Sequence, residues 1–91
     1  MTVLYSKEFY NSIEKLSDKI ALKRLNILIE KLKQANSFRE ISNVVPIIKH
    51  PELFRIRTGN YRLFVRYFNG EMTILLLEYS KRNEKTYRKY K

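Results

Sequence analysis

Apolar and polar positions change period along the chain, and the changes mark out its elements. Within "KEFYNSIEKL", Phe9, Ile13 and Leu16 fall at i, i+4 and i+7, the spacing of one helical face. The short apolar run "TVLYS" before it predicts a first strand ending at Ser6, whose hydroxyl suits an N-cap. Ser17 and Asp18 interrupt the pattern and can cap a second helix, "KIALKRLNILIEKLKQA". Its apolar stripe is Ala21, Leu25, Leu28 and Leu32, widened by Leu22 and Ile29, with Lys23, Glu30, Lys31 and Lys33 on the rest of the surface. Two amphipathic helices in a hairpin need a sheet to cover their apolar faces.

The helical period ends after Ala35. "NSFREISNVV" has none and reads as a connection. "VVPII" has strand composition, but Pro46 has no N–H to donate, so it fits an edge or a bulge. Three strand-like runs then lie between Leu53 and Tyr79, separated by Gly59-Asn60 and Asn69-Gly70. Each dipeptide is a two-residue hairpin signal. Taken so, the first turn pairs Thr58 with Tyr61, Arg57 with Arg62, Ile56 with Leu63, Arg55 with Phe64 and Phe54 with Val65. The second pairs Phe68 with Glu71, Arg66 with Thr73, Phe64 with Leu75 and Arg62 with Leu77. Side chains alternate across a strand. Phe54, Ile56, Leu63, Val65, Met72, Ile74 and Leu76 therefore share one face, with Glu78 at its end, and the helices cover it. Arg55, Arg57, Arg62, Arg66 and Phe64 share the other. The expected fold class is α+β: an N-terminal strand, then a two-helix hairpin packed on one face of a twisted antiparallel sheet (β-α-α-β-β-β), with a short basic C-terminal tail or helix.

Ninety-one residues fit a single domain, 1–91, with a small core. The absence of cysteine excludes disulfides and thiolate metal sites, and one histidine, His50, argues against a histidine-based one. No cofactor is expected. Nothing resembles a signal peptide, and no apolar run approaches the roughly 20 residues of a membrane span, so the expected location is the cytoplasm, with no membrane partner. Charge changes the picture more. Nineteen basic and nine acidic residues give +10, with net +3 in residues 1–48 and net +7 in 49–91. Such asymmetry points to a polyanion, nucleic acid or an acidic protein.

The arginines make this specific. Like charges directly opposite each other destabilise a sheet by some tenths of a kcal/mol. A face carrying four arginines, two of them paired across a turn, is better explained by an anion, because the guanidinium fork offers bidentate hydrogen bonds to phosphate. Phe64 beside them suits stacking on a base. The competing reading places Phe64 and Leu75 under the tail and lets Glu52, Glu71 and Glu78 neutralise the arginines.

Two helices, then a sheet bearing "FRIRTGNYRL", then a last strand with "YSKRNEKTY", resemble the RelE/ParE superfamily of bacterial type II toxins, the RelE-like branch in particular. The resemblance covers nearly the whole chain. It implies the RelE-like microbial RNase architecture and a ribosome-dependent, metal-independent mRNA endoribonuclease. Such an enzyme enters the decoding site, where the 2′-hydroxyl attacks the adjacent phosphate to leave a 2′,3′-cyclic phosphate and a 5′-hydroxyl. Carried over by motif, Arg55 and Arg57 match the two basic positions before the turn. Arg62 matches the arginine after Gly-x-Tyr, Lys81 or Arg82 the basic residue after the last strand, and Tyr87 the tyrosine near the C-terminus. Arg57, Arg62, Lys81, Arg82 and Tyr87 are thus the catalytic candidates. Arg55, Phe64, Arg66, Lys49, His50, Arg88 and Tyr90 are the RNA-binding ones, and Tyr90 can replace Tyr87 if the tail is helical.

The branch often carries lysines where this chain has Arg55 and Arg57, and arginine effectively cannot lose a proton. Lys81, Tyr87, His50, Lys49 and Glu78 remain as candidate bases. The resemblance also implies a cognate protein antitoxin with an acidic segment wrapping a monomeric toxin, and the 70S ribosome with its mRNA as target. A ParE-like inhibitor of DNA gyrase that cleaves nothing, or a catalytically inactive RNA-binding member, are the alternatives that a shared fold leaves open.

Overall fold

The computed structural model describes residues 1–81. Along the chain run β1 (Thr2–Tyr5), α1 (Lys7–Glu14), α2 (Lys19–Gln34), β2 (Val44–Ile47), β3 (His50–Thr58), β4 (Tyr61–Phe68) and β5 (Thr73–Lys81), with 3-10 turns at Phe38–Glu40 and Asn69–Glu71. The helix starts are those expected. Ser6 accepts from the N–H of Phe9 at 3.0 Å, and Asp18 accepts from that of Ala21 at 3.0 Å. The carbonyls left over at the end of α2 are met by the N-terminal ammonium, which donates to Lys33 and Ala35 at 2.9 and 2.8 Å. A positive charge there also suits the negative end of the helix dipole.

The sheet has five strands in the order β1-β5-β4-β3-β2. "VVPII" supplies the edge strand β2, with its register shift at Pro46/Ile47, as the missing N–H requires. β1 pairs with β5 in parallel, so the sheet is mixed and not purely antiparallel. Both helices cover one face. Phe9 from α1 and Ala21, Leu25, Leu28, Ile29 and Leu32 from α2 meet Ile56, Leu63, Val65, Ile74 and Leu76 in one buried cluster. The connection after α2 contributes too. Phe38 packs against Phe54 and Tyr67 with ring centroids 5.0 and 4.8 Å apart.

The β3–β4 pairing follows the expected register at every position from Phe54–Val65 to Thr58–Tyr61. The β4–β5 pairing does not. Asn69-Gly70 opens a four-residue connection through Met72, so Phe68 lies opposite Thr73 and not Glu71. Met72 adopts a left-handed backbone, φ 51°, and is exposed, not on the apolar face. A shift of two residues keeps Ile74 and Leu76 inward. A bulge then changes parity: Val65 faces Leu76 but Phe64 faces Glu78, which leaves Leu77 as the extra residue. Beyond it Tyr79 turns into the core, and Glu78 leaves the helix-covered face where it was expected.

Tyr79 is 1% exposed, donates its hydroxyl to the Ala21 carbonyl at 2.8 Å and stacks on Tyr61 at 5.0 Å. Burial, helped by Tyr61 and Asp18, pushes this phenol up to about 12. The unfolded tyrosine ionises near pH ~10. Between the two values the unfolded chain has lost a proton that the folded chain keeps, so stability falls as pH rises. Tyr79→Phe should cost about 1 kcal/mol at neutral pH through the lost hydrogen bond. It should also flatten the decline in the urea midpoint between pH 10 and 12. An unchanged slope would place the titration elsewhere.

Candidate functional site

β3, β4 and β5 bring the arginine face together in rows. Arg57, Arg62 and Ser80 are neighbours across the three strands; Arg55, Phe64 and Glu78 form the next row; Leu53, Arg66 and Leu75 form the third. At about 3.3 Å per residue, Arg55 lies some 7 Å along β3 from Arg57, and Arg66 some 13 Å along β4 from Arg62. The first of these approximates the step between successive phosphates of an extended single strand.

The four guanidinium groups differ in exposure. Arg57 is exposed, Arg55 and Arg66 are half-buried, and Arg62 is 9% exposed. Burial of an arginine is costly unless it is satisfied, and it strengthens whatever electrostatic interaction the group makes. Among the described residues, the Nε of Arg66 is buried without a hydrogen-bond partner. No ion pair joins Arg57 or Arg66 to a described carboxylate. Gly59, at φ 61°, makes the turn that sets Arg57 opposite Arg62. A Cβ there would meet the tip of the Arg24 side chain, which reaches over from α2 and is free to shift, so it is the positive φ that favours glycine at this position.

Several expected members of the site stand apart from it. Phe64 does lie on the arginine face, but it is 1% exposed and offers no open ring to a base. Its burial agrees with the competing reading in which that ring is covered. Lys81 is opposite Tyr61, a core residue, and so belongs by alternation to the helix-covered side at the end of the sheet. His50 opens β3 and Lys49 precedes it, seven and eight residues from Arg57, or about 23 Å and more along the strand. That distance keeps them out of the Arg57–Arg62 row. Arg82, Tyr87, Arg88 and Tyr90 lie outside the described residues.

Glu78 and Ser80 are the additions that the expected register missed. The bulge delivers both to the arginine face. The one trace of it in the sequence is the run Ile74–Leu77, four apolar residues with no alternation, where a regular half-covered strand would alternate. Arg62 and Glu78 now share a face, in adjacent rows of neighbouring strands.

No protein-family model matches the sequence, and no curated protein matches it by sequence. Solved structures do match. A chain of the RelB–RelE antitoxin–toxin complex from Methanococcus jannaschii superposes with a TM-score of 0.78 at 23% identity, covering 97% of this chain and 99% of that one. The archaeal RelE–RelB complex from Pyrococcus horikoshii gives 0.72 at 21% identity, covering 91% and 96%. The YoeB/ParE toxin from Agrobacterium tumefaciens gives 0.70 at 15% identity, covering 91% and 100%. At these identities the likeness is one of fold, and at that level the resemblance read from the sequence holds: the chain has the fold of the RelE/ParE toxins.

Proposed function

We propose that this protein is the toxin of a type II toxin–antitoxin pair and a ribosome-dependent mRNA endoribonuclease. The observation that carries this reading is the Arg57–Arg62 pair, set face to face across a two-residue turn on the sheet face opposite the helices. Cleavage by the 2′-hydroxyl passes through a phosphorane-like state with added negative charge. Guanidinium groups fixed on two rigid strands stabilise that charge without reorganising as it develops. Arg55 and Arg66, displaced along the strands, hold flanking phosphates and keep the messenger extended over the pair.

The attacking hydroxyl must lose its proton, and arginine is a poor acceptor. Glu78 is the described carboxylate on the same face, so the reading gives it that role; the residue that protonates the leaving 5′-oxygen falls to the basic C-terminal segment. Glu78→Gln keeps the shape and removes the acceptor. It should slow cleavage about 100-fold with ribosome binding unchanged. Cleavage by Glu78→Gln within threefold of wild type would take this carboxylate out of the chemistry.

The direct test is primer extension on a reporter messenger with purified ribosomes whose A site is empty. New 5′ ends within the A-site codon are expected, and product ends should carry 2′,3′-cyclic phosphate. Well-folded protein that produces no cuts would overturn the nuclease reading. The partner under this reading is a cognate antitoxin.

A further inference from the structure

Phe64, the ring expected to meet a base, is covered. A second ring on the same face is not. Phe68 ends β4, four residues on from Phe64, so it keeps the parity of Arg62, Phe64 and Arg66. It is 36% exposed, and among the described residues no aromatic ring packs against it. Opposite it lies Thr73, short and buried, whose hydroxyl donates to the Glu71 carbonyl at 3.0 Å. So short a neighbour leaves the ring open on that side.

The row next to Phe68 is composed differently from the rest of the face. Leu53, Arg66 and Leu75 lie side by side, and the parallel pairing adds Leu4, 48% exposed, beyond Leu75. Arg66 stands among leucines. Its Nε is buried without a hydrogen-bond partner, and no ion pair joins it to a described carboxylate. Glu71 lies in the turn beyond Phe68, past the ring and away from Arg66 along the chain. A track for phosphates alone would repeat the arginines. One cation in an apolar row, followed by an open ring, matches a single nucleotide, which brings one charge and one flat apolar face. The spacing agrees. At about 3.3 Å per residue, Phe68 is some 7 Å along β4 from Arg66 and some 20 Å from Arg62. A protein segment would find the same leucines, but it would leave the Arg57–Arg62 row at the other end of β4 unaccounted for. One RNA strand engages both.

We propose that Arg66 and Phe68 form a subsite for one nucleotide of single-stranded RNA, with its phosphate on the Arg66 guanidinium and its base stacked on the Phe68 ring. That nucleotide lies about two phosphate steps along the strand from the one held by Arg57 and Arg62. Its identity as part of the messenger rests on the nuclease reading; the stacking does not. A purine offers the ring a larger face than a pyrimidine, so the subsite favours a purine.

The test uses the full chain and a hexamer of 2′-O-methyl adenylate, which has no free 2′-hydroxyl to attack and so is not cleaved. A hexamer of the same backbone without bases is the control. At about 0.15 M salt, Phe68→Ala should weaken the adenylate hexamer about tenfold and leave the baseless one unchanged. Arg66→Ala should weaken both, and should reduce the slope of log K against log salt by about 0.7. Phe68→Ala should leave that slope as it is. The chain has no tryptophan, so Phe68→Trp installs a single reporter. It should restore the affinity, and its fluorescence should be quenched by the adenylate hexamer and not by the baseless one. A ring already exposed can be replaced without loss of folding, which the melting temperature checks. Wild type that binds both hexamers alike or neither, Phe68→Ala with the affinity of wild type, or a Phe68→Trp signal indifferent to bases would overturn the proposal and leave the ring to a protein contact. A-site cleavage is read separately by primer extension, so the nuclease reading can fail while the stacking stands, and the reverse.

Discussion

Arg62→Ala should lower the rate of A-site cleavage about 10²–10³-fold, the usual loss on removing one preorganised donor from a developing anion. That is about 3–4 kcal/mol of transition-state stabilisation, the largest single effect expected on this face. The reason lies in position. Arg62 is in the central strand, 9% exposed, with Arg57 and Ser80 opposite it on the flanking strands, so burial restricts its guanidinium and little freedom is lost when a phosphate arrives. Exposed Arg57 is worth less by the same argument. Arg62→Lys keeps the charge but not the fork, and should fall between wild type and alanine. If both arginines grip one phosphate, Arg57→Ala and Arg62→Ala will combine to less than the product of their separate effects. Ribosome binding, read by co-sedimentation, should survive the single substitutions. Cleavage by Arg62→Ala within threefold of wild type, with melting unchanged, would remove the arginine pair from the chemistry.

How much of this was legible in the sequence depended on whether local rules had competition. Ser6 and Asp18 cap helices because a hydroxyl or carboxylate at the head of an apolar-periodic run has one good use. Pro46 forces an edge because a missing donor cannot be supplied from elsewhere. Gly59 fixes the β3–β4 register through its own backbone. The arginine face followed from that turn alone. Asn69-Gly70 is as good a signal on paper, yet the chain takes four residues there, because Met72 tolerates the left-handed conformation and lets Thr73 meet Phe68. The bulge was out of reach of any period. A run such as Leu75-Leu76-Leu77 is equally apolar in either parity, and only packing against Phe9 and α2 decides which leucine is spared. The parallel pairing of β1 with β5 joins the two ends of the described chain, a contact for which local sequence carries no signal.

Inserting one alanine between Glu78 and Tyr79 should cost about 4–6 kcal/mol, whereas deleting Leu77 should cost only about 1–2 kcal/mol. Val65 lies opposite Leu76 and Phe64 opposite Glu78, so removing the residue between them makes the two pairs consecutive in a regular ladder. Leu76 and Tyr79 stay on the helix-covered face and Glu78 on the other. What is lost is the half-buried Leu77 side chain, at about 25 cal/mol for each Å², and the local twist of the bulge. An insertion after Glu78 acts differently. It sets alanine opposite Leu63 and turns Tyr79 to the arginine face. Emptying the site of a fully buried aromatic ring costs about 3–5 kcal/mol, and the hydrogen bond from Tyr79 to Ala21 about 1 kcal/mol more. That is a large share of the roughly 5–15 kcal/mol that holds a whole domain together. The measurement is a urea titration followed by circular dichroism, with both variants beside wild type. A deletion variant that fails to fold would show that the bulge itself, and not the parity it sets, is needed. An insertion variant with a midpoint within about 1 M urea of wild type would show that a second bulge absorbs the parity change and returns Tyr79 to the core.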